Sequence, residues 1–224
     1  MSSFHYRHAL LVGATSGIGR SMADKLVESS CKVTVSGRRK ERLDEFVKQH
    51  GADKASAAPF DISEMEKAPQ FAANILKAHP DIDCLFLNAG RQFHYDFSNP
   101  ASVDLMKFND EISTNFTSNV ALIHAFLPHL LKEEKTSIIV TGTHLALVPA
   151  ATLTAYSASK SALNSFVICL RSDLRNTNIK VVDILPPMVQ SELHDYMGED
   201  KGRAMGMPVA EFTKLAYAGL CSGG

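Results

Sequence analysis

Short apolar runs recur along the whole chain and are separated by longer segments with a different spacing of apolar residues. Two of the runs, 10–12 and 85–87, are unbroken apolar triplets, which is typical of parallel strands buried on both faces. The runs end at glycine, serine or polar residues, as strands do. The pattern predicts six strands, over 8–13, 31–36, 55–60, 83–88, 137–142 and 179–185.

Between these strands, apolar residues recur at the spacing of a helix that buries one face. The spacing predicts helices over 20–29, 39–50, 64–78, 101–132 and 153–176. Because strands alternate with helices, the order implies right-handed crossovers and an α/β fold, a three-layer doubly wound parallel sheet. No linker or repeat divides the chain, so we predict one domain over residues 1–224, with a mobile substrate loop at about 188–208.

Composition narrows the class of protein. Apolar residues make up 45% of the 224 positions, which excludes disorder, and 23 Lys and Arg nearly balance 24 Asp and Glu. The net charge of -1 argues against a general nucleic-acid binder. The longest apolar stretch, 120–131, is too short to span a membrane. The four cysteines form no CxxC pair and no cluster has metal spacing, so we predict a cytoplasmic protein with reduced core thiols and no metal.

A glycine-rich turn joins the first predicted strand to the first helix. Glycine suits this place because a Cβ would keep the backbone away from a pyrophosphate, and the helix N-terminus supplies free N–H groups. We therefore predict dinucleotide binding here, with a purely structural turn as the alternative. The residues concerned are Gly13, Thr15, Ser16, Gly17, Ile18 and Gly19. The glycines at 198, 202 and 206 follow no strand, and we interpret them as part of the mobile loop.

The end of the second strand predicts which cofactor binds. An acidic residue about 20 positions past the glycine turn would hold the ribose hydroxyls of NAD. This chain has Arg38 and Arg39 there instead, and guanidinium forks suit a 2′-phosphate, so the prediction is NADP(H). A nuclear-localisation or nucleic-acid patch is the alternative interpretation of 37–42. Lys40 and Arg42 are expected to lie on a solvated helix face.

Tyr156 and Lys160 are four residues apart and so share one face of the predicted helix over 153–176. A phenol is too weak an acid for proton transfer at neutral pH, and a nearby ammonium would lower the pKa of Tyr156. Asn115 falls beside the apolar stripe of the predicted helix over 101–132, where a buried amide needs partners. A surface Tyr–Lys pair and an asparagine at the edge of the stripe are the structural alternatives.

These motifs together resemble the short-chain dehydrogenase/reductase family over essentially the whole chain. The matching residues are Gly13, Gly17, Gly19, Asp61, the Asn88-Ala89-Gly90 segment, Asn115, Tyr156, Lys160 and the segment from Pro186 to Ser191. The resemblance implies a Rossmann fold with strand order 3-2-1-4-5-6-7 and a ligand crevice at the carboxyl edge of the sheet.

The same resemblance implies a role for each matching position. Tyr156 would give or take the proton, Lys160 would bind the nicotinamide ribose, and Asn115 would hold a relay water. The other implied cofactor contacts are Asp61 and Ile62 at the adenine, Asn88, Ala89 and Gly90 beside the sheet, and Pro186, Val189 and Ser191 in the nicotinamide-side loop.

The chain departs from the family pattern at three places. Val12 replaces the usual threonine before the first glycine, and Thr143 stands where the fourth catalytic residue is usually serine. Thr143 keeps the hydroxyl, so it is the fourth predicted catalytic residue, although its methyl group must fit beside the substrate. The residues 221–224 resemble a turn leading into a further strand, so we expect six strands and a missing seventh, with strand six at the edge.

The predicted function is an NADP-dependent oxidoreductase that interconverts a secondary alcohol and a ketone or aldehyde. The segments 91–97, 144–155 and 188–207 are expected to build a mostly apolar pocket under a methionine-rich lid. A non-catalytic NADP sensor, or an isomerase or lyase on the same fold, is the alternative. The expected partners are a small carbonyl or alcohol substrate and a second copy in a homodimer or homotetramer, but neither nucleic acid nor membrane.

Overall fold

Six parallel strands form the centre of the structure, a computed structural model that describes residues 4–222. Their order across the sheet is β3-β2-β1-β4-β5-β6, so the predicted α/β fold and strand order are confirmed. The strands are β1 (His8–Val12), β2 (Lys32–Gly37), β3 (Ala55–Pro59), β4 (Cys84–Leu87), β5 (Thr136–Thr141) and β6 (Ile179–Ile184). That the chain is one domain stays a prediction.

Helices cover both faces of the sheet. They are α1 (Gly17–Glu28), α2 (Lys40–His50), α3 (Ala68–Ala78), α4 (Leu105–Ile112), α5 (Ser118–Leu130), α6 (Thr154–Asp173), α7 (Glu199–Ala204) and α8 (Val209–Ser222). Alternate residues of β1 enter two cores, because Leu10 packs with α3, α5 and α6 while Leu11 packs with α1, α2 and α8. This burial on both faces explains the unbroken apolar runs of the sequence.

The strand order reverses at β1, which pairs with β2 on one side and with β4 on the other. Chain connections leave in opposite directions from such a point, and a crevice opens beyond the carboxyl ends of the two strands. The segment after β1 and the segment after β4 therefore lie next to each other. Both carry predicted site residues, and the fold brings them together there.

The helix predicted over 101–132 forms over 105–130 and is widened by a π-turn in its middle. The chain forms α4, then a wider π-helical turn at Ser113–Thr117, and then α5. The hydroxyls of Thr117 and Ser118 donate to the Ser113 carbonyl, at 3.3 and 2.9 Å, and so compete with the regular main-chain ladder. Asn115 lies within this turn, and single π-turns often occur at functional sites.

Residues 188–208, the predicted mobile substrate loop, contain regular structure, and we call them the strap. The strap contains a short 3-10 helix (Glu192–Met197) followed by α7. Its base is closed where the Met207 N–H donates to the Met188 carbonyl at 2.9 Å and the Gln190 N–H donates to the Met207 carbonyl at 3.0 Å. Gly206 has φ +94°, and a Cβ there would lie 2.4 Å from the Met188 carbonyl oxygen. Gly206 therefore serves local packing, and the mobility of the strap stays a prediction.

Two smaller expectations need correction. Cys221 and Ser222 are the last residues of α8 and do not form a turn, while Gly223 and Gly224 lie outside the described residues. Cys169 is exposed on α6, so only the other three cysteines are core thiols. Within residues 4–222, no helix combines the length and the apolar character needed to cross a membrane.

The strap provides a test of this local structure. Gly206→Ala places a Cβ against the Met188 carbonyl at a positive φ, so we expect it to break the closing hydrogen bonds. Hydrogen exchange at the amides of Gln190 and Met207 should become at least about tenfold faster, the change that a loss of ~1.4 kcal/mol gives. Gly219→Ala in α8 is the control, since its Cβ meets nothing within 4 Å. Equal exchange in both variants would contradict the packing described here.

Candidate cofactor and active site

The turn after β1 has a backbone that only glycine fits. Gly13 has φ +88°, and a Cβ there would lie 2.5 Å from the Ala89 nitrogen. A Cβ on Gly19 would lie 2.1 Å from the Gly13 carbonyl oxygen. The turn is thus packed tightly against the segment after β4, and the first N–H groups of α1 face the crevice without a side-chain cap from Ser16.

The Asn88 side chain joins the ends of three neighbouring strands. Its Nδ2 donates to the Gly13 carbonyl at 3.0 Å, and its Oδ1 accepts from the Thr141 hydroxyl at 3.0 Å. Both halves of the amide therefore have partners beside the cofactor crevice. Asn88 thus holds the strand ends together at the place where the family resemblance predicts that it supports the cofactor.

A cavity of about 910 Å³ runs from the glycine turn to Tyr156 and Lys160. Its volume is near the upper end of the ~300–1,000 Å³ range of small-molecule sites, and its lining of main chain and small residues fits a dinucleotide. The predicted cofactor residues that line it are Gly13, Thr15, Ser16, Gly17, Ile18, Arg38, Arg39, Ile62, Asn88, Ala89, Gly90, Tyr156, Lys160, Pro186, Val189 and Ser191. Gly19 lies behind the turn, and Asp61 lines a second hollow, which also reaches Arg38.

The arginines after β2 differ from one another in their contacts. Arg38 has a side chain that is 57% exposed, and its Nη1 lies 3.9 Å from the Asp61 carboxylate. Arg39 instead donates to the Thr15 hydroxyl at 2.6 Å and to Glu192 at 2.5 Å. Arg42 also donates to Glu192, at 2.6 Å, while 40% of its side chain stays exposed, in agreement with its predicted place on a solvated helix face.

Both polar atoms of the Asn115 side chain are hydrogen-bonded, to the backbone of Arg91 and to Ser159. Its Oδ1 accepts from the Arg91 N–H at 2.8 Å, and its Nδ2 donates to the Arg91 carbonyl at 2.8 Å and to the Ser159 hydroxyl at 3.1 Å. The residue is completely buried. It thereby fixes the segment after β4 against α6, and its predicted relay water stays a prediction.

Tyr156, Lys160 and Thr143 come together at the end of the cavity. The Lys160 ammonium lies 5.9 Å from the centre of the Tyr156 ring and donates to the Thr141 carbonyl at 2.7 Å. Thr143 follows β5 in an extended conformation, and its hydroxyl accepts from the Leu145 N–H at 3.3 Å. The same hydroxyl lies near the Tyr156 phenol. All three side chains are buried.

Burial controls the charge states of this group. It raises the pKa of the Tyr156 phenol, the Glu111 charge raises it further, and the Thr143 hydroxyl lowers it in part. It lowers the pKa of Lys160 to about 8, against the opposing attraction of Asp183. At pH 7 Tyr156 is therefore a neutral proton donor and Lys160 a cation. The expectation that Lys160 lowers the pKa of Tyr156 does not describe this site, because desolvation dominates.

The sequence has a family match that agrees with this geometry. The model of the short chain dehydrogenase family matches residues 7–202, which is most of the chain. The chain belongs to this family.

The chain is also similar to individual proteins, to two by sequence and to one by fold. The chain is 32% identical to the uncharacterized oxidoreductase DltE of Bacillus subtilis (strain 168) over 215 residues, 96% of this chain and 84% of DltE. It is 31% identical over 180 residues to the NADP-dependent 3-hydroxy acid dehydrogenase YdfG of Salmonella typhi, 80% of this chain and 71% of YdfG. A Burkholderia phymatum short chain dehydrogenase/reductase solved with NAD superimposes with a TM-score of 0.89 at 20% identity, covering 99% of this chain and 88% of that one.

The substrate end of this dehydrogenase cavity differs in part from the prediction. Phe93, His144, Leu145 and Leu193 line it, as expected, together with the methionines at 188, 197 and 205. Phe97, Leu147 and Val148 are exposed elsewhere, and Tyr95 is buried. The sequence interpretation missed Gln92 and Tyr196, which line the cavity and join through a 3.1 Å hydrogen bond from Gln92 Nε2 to the Tyr196 phenol.

Glu111 is a second residue that the sequence interpretation missed. It is fully buried one helical turn before Asn115, and its Oε2 accepts from the Tyr95 hydroxyl at 3.1 Å. Its Oε1 has no hydrogen-bond partner within residues 4–222. Burial raises the pKa of Glu111 to about 7, although Tyr95, the Phe93 backbone and Lys107 oppose the shift. An acid in an otherwise polar helix face gives no signal of burial in the sequence.

Because the pKa of Glu111 is raised, its contribution to the free energy of unfolding depends on pH. The folded pKa is about 7 and the ordinary one 4.5, so the neutral form favours folding below pH 4.5 and this contribution is lost as pH rises through 7. Glu111→Gln should therefore gain stability relative to the wild type between pH 5 and pH 8, by up to about 3 kcal/mol. Urea unfolding at both pH values measures this, with Glu45→Gln, exposed on α2, as the control. A pH-independent difference would contradict a neutral buried Glu111.

Proposed function

We propose that this short-chain dehydrogenase is an NADP-dependent oxidoreductase that interconverts a secondary alcohol and a ketone or aldehyde. The observation that carries the proposal is the convergence of the buried Thr143, Tyr156 and Lys160 side chains at one end of the cavity. Two hydroxyls that converge in this way can both hydrogen-bond to one substrate oxygen. The glycine turn lies at the other end of the same cavity, where a dinucleotide would extend.

In carbonyl reduction, each of these side chains has a defined task. NADPH, when bound, supplies the hydride. Tyr156, neutral at pH 7, gives its phenolic proton to the oxygen of the carbonyl as negative charge grows there. Thr143 donates a hydrogen bond to the same oxygen, and Lys160 places a positive charge close to the phenolate that remains. Asn115 positions the Arg91 segment at the cavity wall, and its predicted role of holding a relay water stays a prediction.

The preference for NADP rests on the arginines after β2 and on the lack of an acid there. Arg38 is partly exposed beside the cavity and is free to turn toward a 2′-phosphate, for which a guanidinium fork is well suited. The similarity to YdfG, an NADP-dependent enzyme, agrees with this choice.

For the substrate we propose a mostly apolar alcohol or carbonyl compound. Phe93, Leu145, Leu193 and the methionines of the strap provide the apolar contacts, while Gln92 and Tyr196 offer one polar contact point. A 3-hydroxy acid, the substrate class of YdfG, is a member of this class to test first. A homodimeric or homotetrameric assembly and a cytoplasmic location stay predictions.

The test is an absorbance assay at 340 nm with NADPH or NADH and a panel of ketones, aldehydes and 3-oxo acids. We expect turnover with at least one carbonyl compound and a higher kcat/KM with NADPH. A higher kcat/KM with NADH would contradict the proposed cofactor. No turnover across the panel, with intact cofactor binding, would favour a role without catalysis.

The proton donor has a direct test. Tyr156→Phe keeps the buried ring and removes the ionisable group, so kcat should fall at least ~10²-fold while the Kd for NADP⁺ stays within about twofold. Tyr217→Phe is the matched control, because Tyr217 lies on α8 beside Lys25 and is not part of the cavity lining. Normal turnover of Tyr156→Phe would assign proton transfer to another group.

Two substitutions of Thr143 separate the effect of its hydroxyl from the effect of its shape. Thr143→Val keeps nearly the same volume without the hydroxyl, so kcat should fall ~10–10³-fold, as for the loss of one oxyanion donor. Thr143→Ser keeps the hydroxyl and should remain active, with better turnover of bulkier ketones once the methyl group is gone. Both rates come from the same absorbance assay. Full activity of Thr143→Val would mean that the hydroxyl takes no part.

A further inference from the structure

The Glu192 carboxylate lies over the glycine turn, far in sequence from its partners. Its Oε2 accepts from Arg39 Nη1 at 2.5 Å, and its Oε1 accepts from Arg42 Nη1 at 2.6 Å. The Ser16 hydroxyl, which accepts from Arg39 Nη2 at 2.8 Å, lies beside them and lowers the pKa of Glu192. One anion of the chain is therefore held by two guanidinium groups, beside the start of α1 and the start of α2.

The same donors suit a phosphate. Arginine forks bind carboxylates and phosphates with the same planar geometry, and the hydroxyls of a glycine turn add further donors. In a dinucleotide fold the adenosine ribose lies between the glycine turn and the residues after the second strand, where Arg39 stands. A 2′-phosphate on that ribose would meet Arg39 while Glu192 already occupies its Nη1.

Glu192 is held firmly and remains charged. Partial burial alone would raise its pKa, but the hydrogen bonds from Arg39 and Arg42, together with Ser16, lower that pKa to about 2. The side chain is 27% exposed. The preceding residue packs on the turn as well, since a Cβ on Gly17 would lie 3.0 Å from the Ser191 Cβ. The strap therefore touches the cofactor crevice through Ser191 and Glu192.

From this arrangement we propose that Glu192 is a cofactor-selectivity residue, whose carboxylate competes with the 2′-phosphate of NADP(H) for Arg39 and Arg42. NADP(H) has to displace Glu192 from the arginines in order to bind, whereas NAD(H) has no group that does so. Glu192 thus weakens NADP(H) binding and reduces the preference for NADP(H) over NAD(H) that the arginines create. This inference deepens the proposed function, because it rests on a nicotinamide cofactor in this crevice.

The test compares the Kd values of NADP⁺ and NAD⁺, measured by isothermal titration calorimetry on the whole chain without substrate. Glu192→Gln removes the charge and keeps the shape, so NADP⁺ should bind about 3- to 10-fold more tightly, the size expected of partly exposed ion pairs. The Kd for NAD⁺ should change less than twofold. Glu199→Gln, in the same strap, is the control, since Glu199 is 72% exposed and contacts Arg203.

Each outcome separates the two proposals. An unchanged or weaker affinity for NADP⁺ in Glu192→Gln would overturn the inference, and so would equal tightening for both dinucleotides. If the wild type prefers NAD⁺ and Glu192→Gln still tightens NADP⁺ alone, the inference stands and the proposed cofactor is wrong. If neither dinucleotide binds, both are wrong. Far-ultraviolet circular dichroism of each variant shows that the compared proteins are equally folded.

Discussion

The close approach of three strand ends around the Asn88 amide is the contact on which the whole site depends. Gly13 lies so near Ala89 that the space between them has no room for a side chain on residue 13. The amide of Asn88 hydrogen-bonds to both the Gly13 carbonyl and the Thr141 hydroxyl, and it thereby holds the ends of β1, β4 and β5 together. Because Lys160 donates to the Thr141 carbonyl, the same contact also positions the lysine. The glycine turn and the proposed catalytic group are thus parts of one rigid edge.

Burial has opposite consequences for the groups that share this edge. It keeps Tyr156 protonated and weakens the hold of Lys160 on its proton, because desolvation favours the neutral form of each group. It also holds Glu111 near neutrality and leaves Asp183 on β6 with a raised pKa beside Lys160. These buried acids reduce the stability of the fold at neutral pH. Such a cost is common at sites that need tuned ionisable groups.

The strap links the two ends of the cavity. Met188, Leu193 and Tyr196 face the proposed substrate region, while Glu192 reaches the arginines that face the adenosine side. The same short segment therefore contributes groups to both ends of the cavity. Its own two ends are joined by the bridge between Val189 and Met207.

The sequence alone determined the fold class and where most of the strands lie. Unbroken apolar triplets require burial on both faces, and the strand–helix alternation predicts a parallel sheet between helix layers, whereas the strand order 3-2-1-4-5-6 was implied by the family resemblance. The glycine turn and the pair of Tyr156 and Lys160 were recognised from local spacing, whereas Thr143 was assigned only from its place in the family pattern. The π-turn at Asn115, the burial of Glu111 and the pairing of Glu192 with Arg39 and Arg42 were decided only by the tertiary structure. Their partners lie on other elements, and desolvation and ion pairing depend on distance in space, which spacing along the chain does not encode.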